Sequence, residues 1–176
     1  AYFAKDVSRV IDFLTALNIN DPNHLLYNKL NLDRLGAFGV SLGGVIVSEA
    51  SWRDRRIKAS LIMESPIPKK IAQTGLPIPT MVITRPAESM RTERKKSGGW
   101  TEKDIEQHLS TMRALFENTA ESEFVQIPDM FHVDFTDVPL WVPFAQLLGL
   151  SGRTPIEETH DKLNSLTLKF FEEYLR

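Results

Sequence analysis

The sequence predicts an α/β domain, a mostly parallel sheet covered by helices on both faces. Short apolar runs recur at 35–40, 59–63, 80–84 and 124–127, and stretches with apolar residues every three or four positions lie between and around them. Strands buried on both faces read as continuous apolar runs, and parallel neighbours need a helical crossover between them. With 42% hydrophobic and 25% charged residues in 176, the chain has the composition of one globular core, and it contains no internal repeat or low-complexity tract.

Taken in order, residues 2–17 set Phe3, Val7, Val10, Ile11, Leu14 and Leu17 at helical spacing, opposite Lys5, Ser8, Arg9 and Asp12. Asp21-Pro22 breaks this helix, and a short apolar stretch around Leu25 to Leu30 leads to Asp33-Arg34. Leu35 to Val40 is a strand that turns at Ser41 into a buried helix over Leu42 to Ala50. Ala59 to Met63 and Thr80 to Thr84 follow as buried strands. Arg91 to Gly99 is charged and glycine-ended, and is expected to be a solvated, protease-accessible loop. Thr101 with Asp104 resembles a capping box, after which Ile105, Leu109, Met112 and Phe116 form a helical stripe. Phe124 to Ile127 supplies a further strand. Thr154-Pro155-Ile156-Glu157 then opens a final helix, with Thr154 as N-cap and Leu163, Leu166, Phe170 and Tyr174 facing the core.

Charge and composition exclude several classes of function. Lys+Arg of 21 against Asp+Glu of 23 leaves a net charge of −2, too little positive field to hold nucleic acid. Zero cysteines remove disulfides, thiolate metal sites and cysteine nucleophiles together. No apolar run is long enough to cross a membrane as a helix. The chain opens on Ala1-Tyr2-Phe3-Ala4 without an initiator Met, so a processed or truncated chain is expected, and a secretory signal would lie in the missing part.

Gly39-Val40-Ser41-Leu42-Gly43 is a G-x-S-x-G motif, in which a serine stands at a strained strand-to-helix turn and flanking glycines avoid clashes. Chance alone yields such a motif on the order of a few per cent of the time in a chain of this composition. A strand before it and a helix after it are the setting the chemistry requires; the blander reading makes Ser41 a helix N-cap. A serine hydroxyl needs an imidazole to take its proton. Of His24, His108, His132 and His160, only His132 lies in the loop directly behind the last strand, at the carboxyl end where α/β folds gather catalytic groups; the other three are expected to be solvated. In such hydrolases the acid lies between serine and histidine along the chain. Glu64 ends the strand after the turn, and Glu88 lies four residues past Thr84; position alone leaves both open.

Leu32 to Gly44, Leu61-Ile62-Met63-Glu64-Ser65-Pro66 and His132-Val133-Asp134-Phe135-Thr136-Asp137 with a terminal helix behind it together resemble α/β-hydrolases of the platelet-activating-factor acetylhydrolase type. The likeness runs through nearly the whole chain and implies a serine ester hydrolase without cofactor or metal, acting on carboxylic esters such as short or oxidised acyl groups of phospholipids. It also implies that Glu64 is the acid, in place of the family's usual Asp and at a similar distance from the nucleophile. Polyester-degrading and dienelactone-type hydrolases would instead use Glu88. A non-catalytic binding or scaffold protein of the same fold is the rival from another class.

In the family fold the serine-bearing strand is the fifth of eight, so residues 1–176 resemble the carboxyl-terminal half. The resemblance gives one oxyanion donor, the Leu42 N–H, and places the other on a loop outside the chain. An amino-terminal fragment of the same precursor is therefore expected as a second chain that completes the sheet. Pro139 to Leu150 is strongly apolar; it is expected to pack on the core or a partner, with an acyl-chain wall or lipid-facing lid as the alternative.

Overall fold

The computed structural model describes residues 2–176; Ala1, where the sequence suggests a cut, lies outside the described residues. Four strands, β1 (Leu35–Val40), β2 (Ile57–Met63), β3 (Thr80–Thr84) and β4 (Ser122–Gln126), form one sheet in the order β1-β2-β3-β4, every pair parallel. The helices are α1 (Tyr2–Ile19), α2 (Leu42–Arg53), α3 (Lys69–Thr74), α4 (Ala87–Ser97), α5 (Glu102–Asn118), α6 (Val138–Trp141) and α7 (Ile156–Tyr174). A single 3-10 turn, His132–Phe135, sits between β4 and α6.

Side chains alternate across β2 and β3, so each strand feeds two cores. Ala59, Leu61, Met63, Met81 and Ile83 pack with Leu163 and Phe170 of α7 on one face. Ile62 and Val82 pack with Val47 of α2, Ile71 of α3 and Met112 and Leu115 of α5 on the other. Helices therefore cover both faces, as the sequence predicts, and α1 lies outside α2 through Ala4 and Ile11 against Ala50 and Ile57.

Four local expectations need correction. The buried line of α1 runs through Ala4 and Ile11, leaving Phe3 and Val10 exposed along with Tyr2 and Phe13. At α7 the N-cap is Pro155, whose ψ of 138° is extended; Thr154 lies one residue too early to cap, and Glu157 and Glu158 supply the first-turn charge. Residues 91–97 are the body of α4 rather than a loop, because Arg91 and Arg94 pair with Glu102 on the neighbouring helix and so fold a stretch with almost no apolar residues. Gly43 has nothing within 4 Å of the position a Cβ would take, so among the described residues no clash requires a glycine there. The capping box of Thr101 and Asp104 forms as expected.

β1 is an edge strand. Its outer side has no strand partner among the described residues, and Phe38, on the face that α7 covers, is 62% exposed.

Candidate active site

Parallel register brings the site together. Val40 pairs with Met63, and Met63 with Ile83, so Ser41 and Glu64, which follow β1 and β2, fall in one row with Thr84, the last residue of β3. The ladder continues through that row: Ser41 N–H donates to Met63 C=O (3.0 Å), Glu64 N–H to Ile83 C=O (2.8 Å) and Ile127 N–H to Thr84 C=O (2.9 Å). Ser41 and Glu64 are both in the left-handed half of backbone space, with φ of 55° and 44°. Non-glycine residues held there store strain that the surrounding structure must support.

The turn at Ser41 is possible because Gly39 lacks a side chain: a Cβ there would stand 2.4 Å from the Gly43 backbone and 2.8 Å from Gly44 N. Gly44 in turn lets α2 close on β2, since its Cβ would lie 2.5 Å from Ser65 Cβ. Ser41 precedes α2 without capping it through its side chain. Its hydroxyl instead lies 3.1 Å from His132 Nε2. The Leu42 N–H, at the first position of α2, has no carbonyl acceptor among the described residues and so remains available to an anion.

His132 begins the 3-10 turn that follows β4, and Asp134 fixes that turn. The buried Asp134 carboxylate accepts from Phe131 N–H (2.6 Å), Gly152 N–H (2.9 Å) and Ser151 Oγ (2.6 Å). These bonds pin the loop before the apolar 138–150 segment to the residues after it. Burial holds the His132 imidazole below its ordinary 6.5, with Glu64 and Glu93 pulling it up and Arg85 and His108 pushing it down. The ring is therefore neutral near pH 7, the form a base needs. The Trp100 indole supplies part of the cover, 6.2 Å from the His132 ring and edge-on to His108 at 4.8 Å.

Glu64 is fully buried, and its carboxylate is bonded away from His132. Oε1 accepts from Arg85 Nε (2.7 Å); Oε2 accepts from Thr84 Oγ1 (2.8 Å) and Arg85 N–H (3.2 Å). Burial alone would raise its pKa, but His108 and Arg85 outweigh it and hold the carboxyl at about 2. His132 Nδ1 is buried and has no hydrogen-bond partner among the described residues. Glu88 stands exposed in the first turn of α4, and none of its side-chain bonds reaches His132.

The structure thus places Ser41 and His132 in contact, with Glu64 one strand away and Glu88 outside the cluster. Sequence reasoning missed Arg85, Glu93, His108 and Trp100. His108 is 1% exposed rather than solvated, because its ring fits between Trp100 and Thr84 Oγ1 (3.3 Å). His160 is half-buried, 3.2 Å from the Asp134 carbonyl, and only His24 is exposed as expected. The signal for Arg85 was present: a charged residue abutting a buried strand, as Glu64 does on the neighbouring strand.

No family model matches the sequence, and no curated protein does. Among solved structures the chain is similar to a ferulic acid esterase from Streptomyces cinnamoneus, with a TM-score of 0.71 and 21% identity, covering 99% of this chain and 48% of that one. It is also similar to an acylaminoacyl peptidase from Pyrococcus horikoshii, with a TM-score of 0.60 and 12% identity, covering 98% and 27%. These likenesses are of fold: the chain has part of an α/β-hydrolase fold and spans about half the length of the esterase.

Proposed function

We propose that this chain carries the nucleophile and base of a serine ester hydrolase. The observation that carries the reading is the 3.1 Å approach of Ser41 Oγ to His132 Nε2, with Ser41 at φ 55° on a glycine-flanked turn between β1 and α2. Ser41 Oγ attacks the ester carbonyl as His132 Nε2 takes its proton, and the tetrahedral oxyanion meets the Leu42 N–H. Collapse expels the alcohol, which takes the proton back from His132. Water, deprotonated by the same imidazole, then releases the acid.

In this reading Glu64 is the acid and favours the imidazolium through its buried charge; its place directly behind β2, beside Ser41, supports the choice over Glu88. The platelet-activating-factor acetylhydrolase resemblance points to carboxylic esters with short or oxidised acyl groups, phospholipids among them. Trp141, Phe144, Leu147 and Leu148, each more than half exposed just after the His132 turn, are a fitting wall for an acyl chain. An amino-terminal fragment would complete the sheet along β1 and supply the second oxyanion donor; the unpaired outer edge of β1 and the 48% coverage support this.

Fluorophosphonate labelling of the protein isolated with everything that co-purifies tests the reading. Label on Ser41, abolished in Ser41→Ala, is the expected result. An inert Ser41 in the complete assembly would leave a scaffold of the same fold.

A further inference from the structure

The geometry points to α4 as the strut that sets His132 against Ser41, with Glu93 as its positioning residue. This inference rests on the hydrolase reading. Ser89, Glu93 and Lys96 follow one another at spacings of four and three, which puts them on one face of the helix. Each of them meets the histidine loop. Ser89 Oγ accepts from Asp129 N–H (3.0 Å), Glu93 Oε1 accepts from His132 N–H (3.2 Å), and Lys96 Nζ stands 5.4 Å from the centre of the Phe131 ring.

Glu93 makes the contact at the catalytic residue itself, and its other oxygen binds the buried Arg85 guanidinium through Nη1. Arg85 Nε is held by Glu64 Oε1. A single chain of ion pairs therefore runs from the end of β2, through the end of β3, into α4 and out to the backbone of His132. The Asp134 bonds tie the 3-10 turn to Ser151 and Gly152 after it, and none of them reaches the strands. An acceptor on the His132 N–H, itself anchored by a guanidinium with no solvent exposure, fixes that turn relative to the sheet that carries Ser41. Glu93 touches the backbone of His132 and none of the reacting atoms, so besides the pull of its charge on the imidazole its contribution is to the distance between Ser41 and His132.

The test compares Glu93→Ala and Glu93→Gln with the unaltered protein in the complete assembly. Two readouts are used: the fluorophosphonate labelling rate of Ser41, and hydrogen exchange at the His132 amide. Glu93→Ala should label on the order of 10²-fold more slowly, the cost of a misplacement of about 1 Å. Its ester kinetics should lose kcat with KM unchanged, and its His132 amide should exchange faster. Glu93→Gln keeps an acceptor oxygen for that amide and should recover amide protection and part of the rate. Where Glu93→Ala fails to fold, Glu93→Gln and Ser89→Ala carry the same comparison. Labelling of Glu93→Ala within threefold of the unaltered protein would overturn the inference, as would a slow amide in that variant. Should the unaltered protein itself fail to label, the hydrolase reading falls, and unchanged amide exchange in Glu93→Ala would then sink the strut as well.

Discussion

Replacing Glu64 by glutamine separates its two duties. The side chain keeps its length but loses the charge facing Arg85, and its new NH2 has to point toward one of the donors now served by Oε1 and Oε2. Removing one partner of a buried ion pair costs about 3–5 kcal/mol. Arg85 keeps Glu93, so the lower end, about 3 kcal/mol, is expected. That is a fall of roughly 6–12 °C in Tm for a domain of this size. For rate, amide-for-carboxylate exchange in a bonded triad costs on the order of 10⁴, because the histidine takes the wrong tautomer. Glu64 is not bonded to His132 Nδ1, and Arg85 still holds Glu93 and through it the His132 turn, so the rate cost is chiefly the loss of its field. At an effective dielectric of about 20, the loss of a nearby unit charge is worth on the order of 2 kcal/mol, some 30-fold in kcat. Thermal melting and ester hydrolysis on one preparation give both numbers. The same carboxyl sets an acid limit: its folded pKa lies below the ordinary 4.5, so it contributes stability that is present above pH 4.5 and lost as pH falls toward about 2, and Glu64→Gln should lose that dependence. A 10⁴-fold loss of kcat with an unchanged Tm would refute this account and require a direct bond to His132. A loss in Glu88→Gln that matches or exceeds it would move the acid to Glu88.

Trp100→Ala should raise the His132 pKa toward 6.5 by admitting water, with the charges of Glu64, Glu93, Arg85 and His108 unaltered. The neutral ring is the base, so the acid limb of the kcat/KM profile should move to higher pH; a limb that stays or moves down contradicts the burial argument. Gly39→Ala should abolish folding of the turn and labelling of Ser41, because the added Cβ meets backbone at 2.4 Å that cannot move aside. Gly43→Ala, with nothing within 4 Å, should keep its Tm or gain as much as about 1 kcal/mol of stability, and a lower Tm would contradict the open site.

The strands and most helices were legible because burial writes itself as periodicity. β2 and β3 are continuous apolar runs, and the stripe of Leu163, Leu166, Phe170 and Tyr174 faces the core as α7. Ser41 and His132 were legible for the same reason, since each sits where an apolar run ends and the topology gathers loops. α4 was not. Its cohesion comes from Arg91, Arg94 and Glu102, and charged pairs leave no apolar period to read. His108 was misplaced because a ring packed on Trp100 and a threonine hydroxyl occupies a core position with a polar residue. Position did not separate Glu64 from Glu88, and the pairing of Arg85 with Glu64 became visible only once the register of β2 and β3 was known.

That register also bears on why a buried ion pair sits at the carboxyl end of the central strands. A buried pair such as Glu64 and Arg85 roughly breaks even in stability against apolar side chains of the same volume. Stability therefore does not account for a guanidinium with no exposure, bonded at Nε and Nη1 and left without a partner at Nη2. What the pair supplies is direction. Apolar contacts would permit the end of β3, the start of α4 and the His132 turn to settle in several nearby arrangements, whereas hydrogen-bonded charges accept few. The carboxylate beside Ser41 and the helix beyond β3 are joined through Arg85, and the backbone of His132 through Glu93. A change that breaks the link from Arg85 through Glu93 to the His132 amide should then register as a change in the distance between Ser41 Oγ and His132 Nε2.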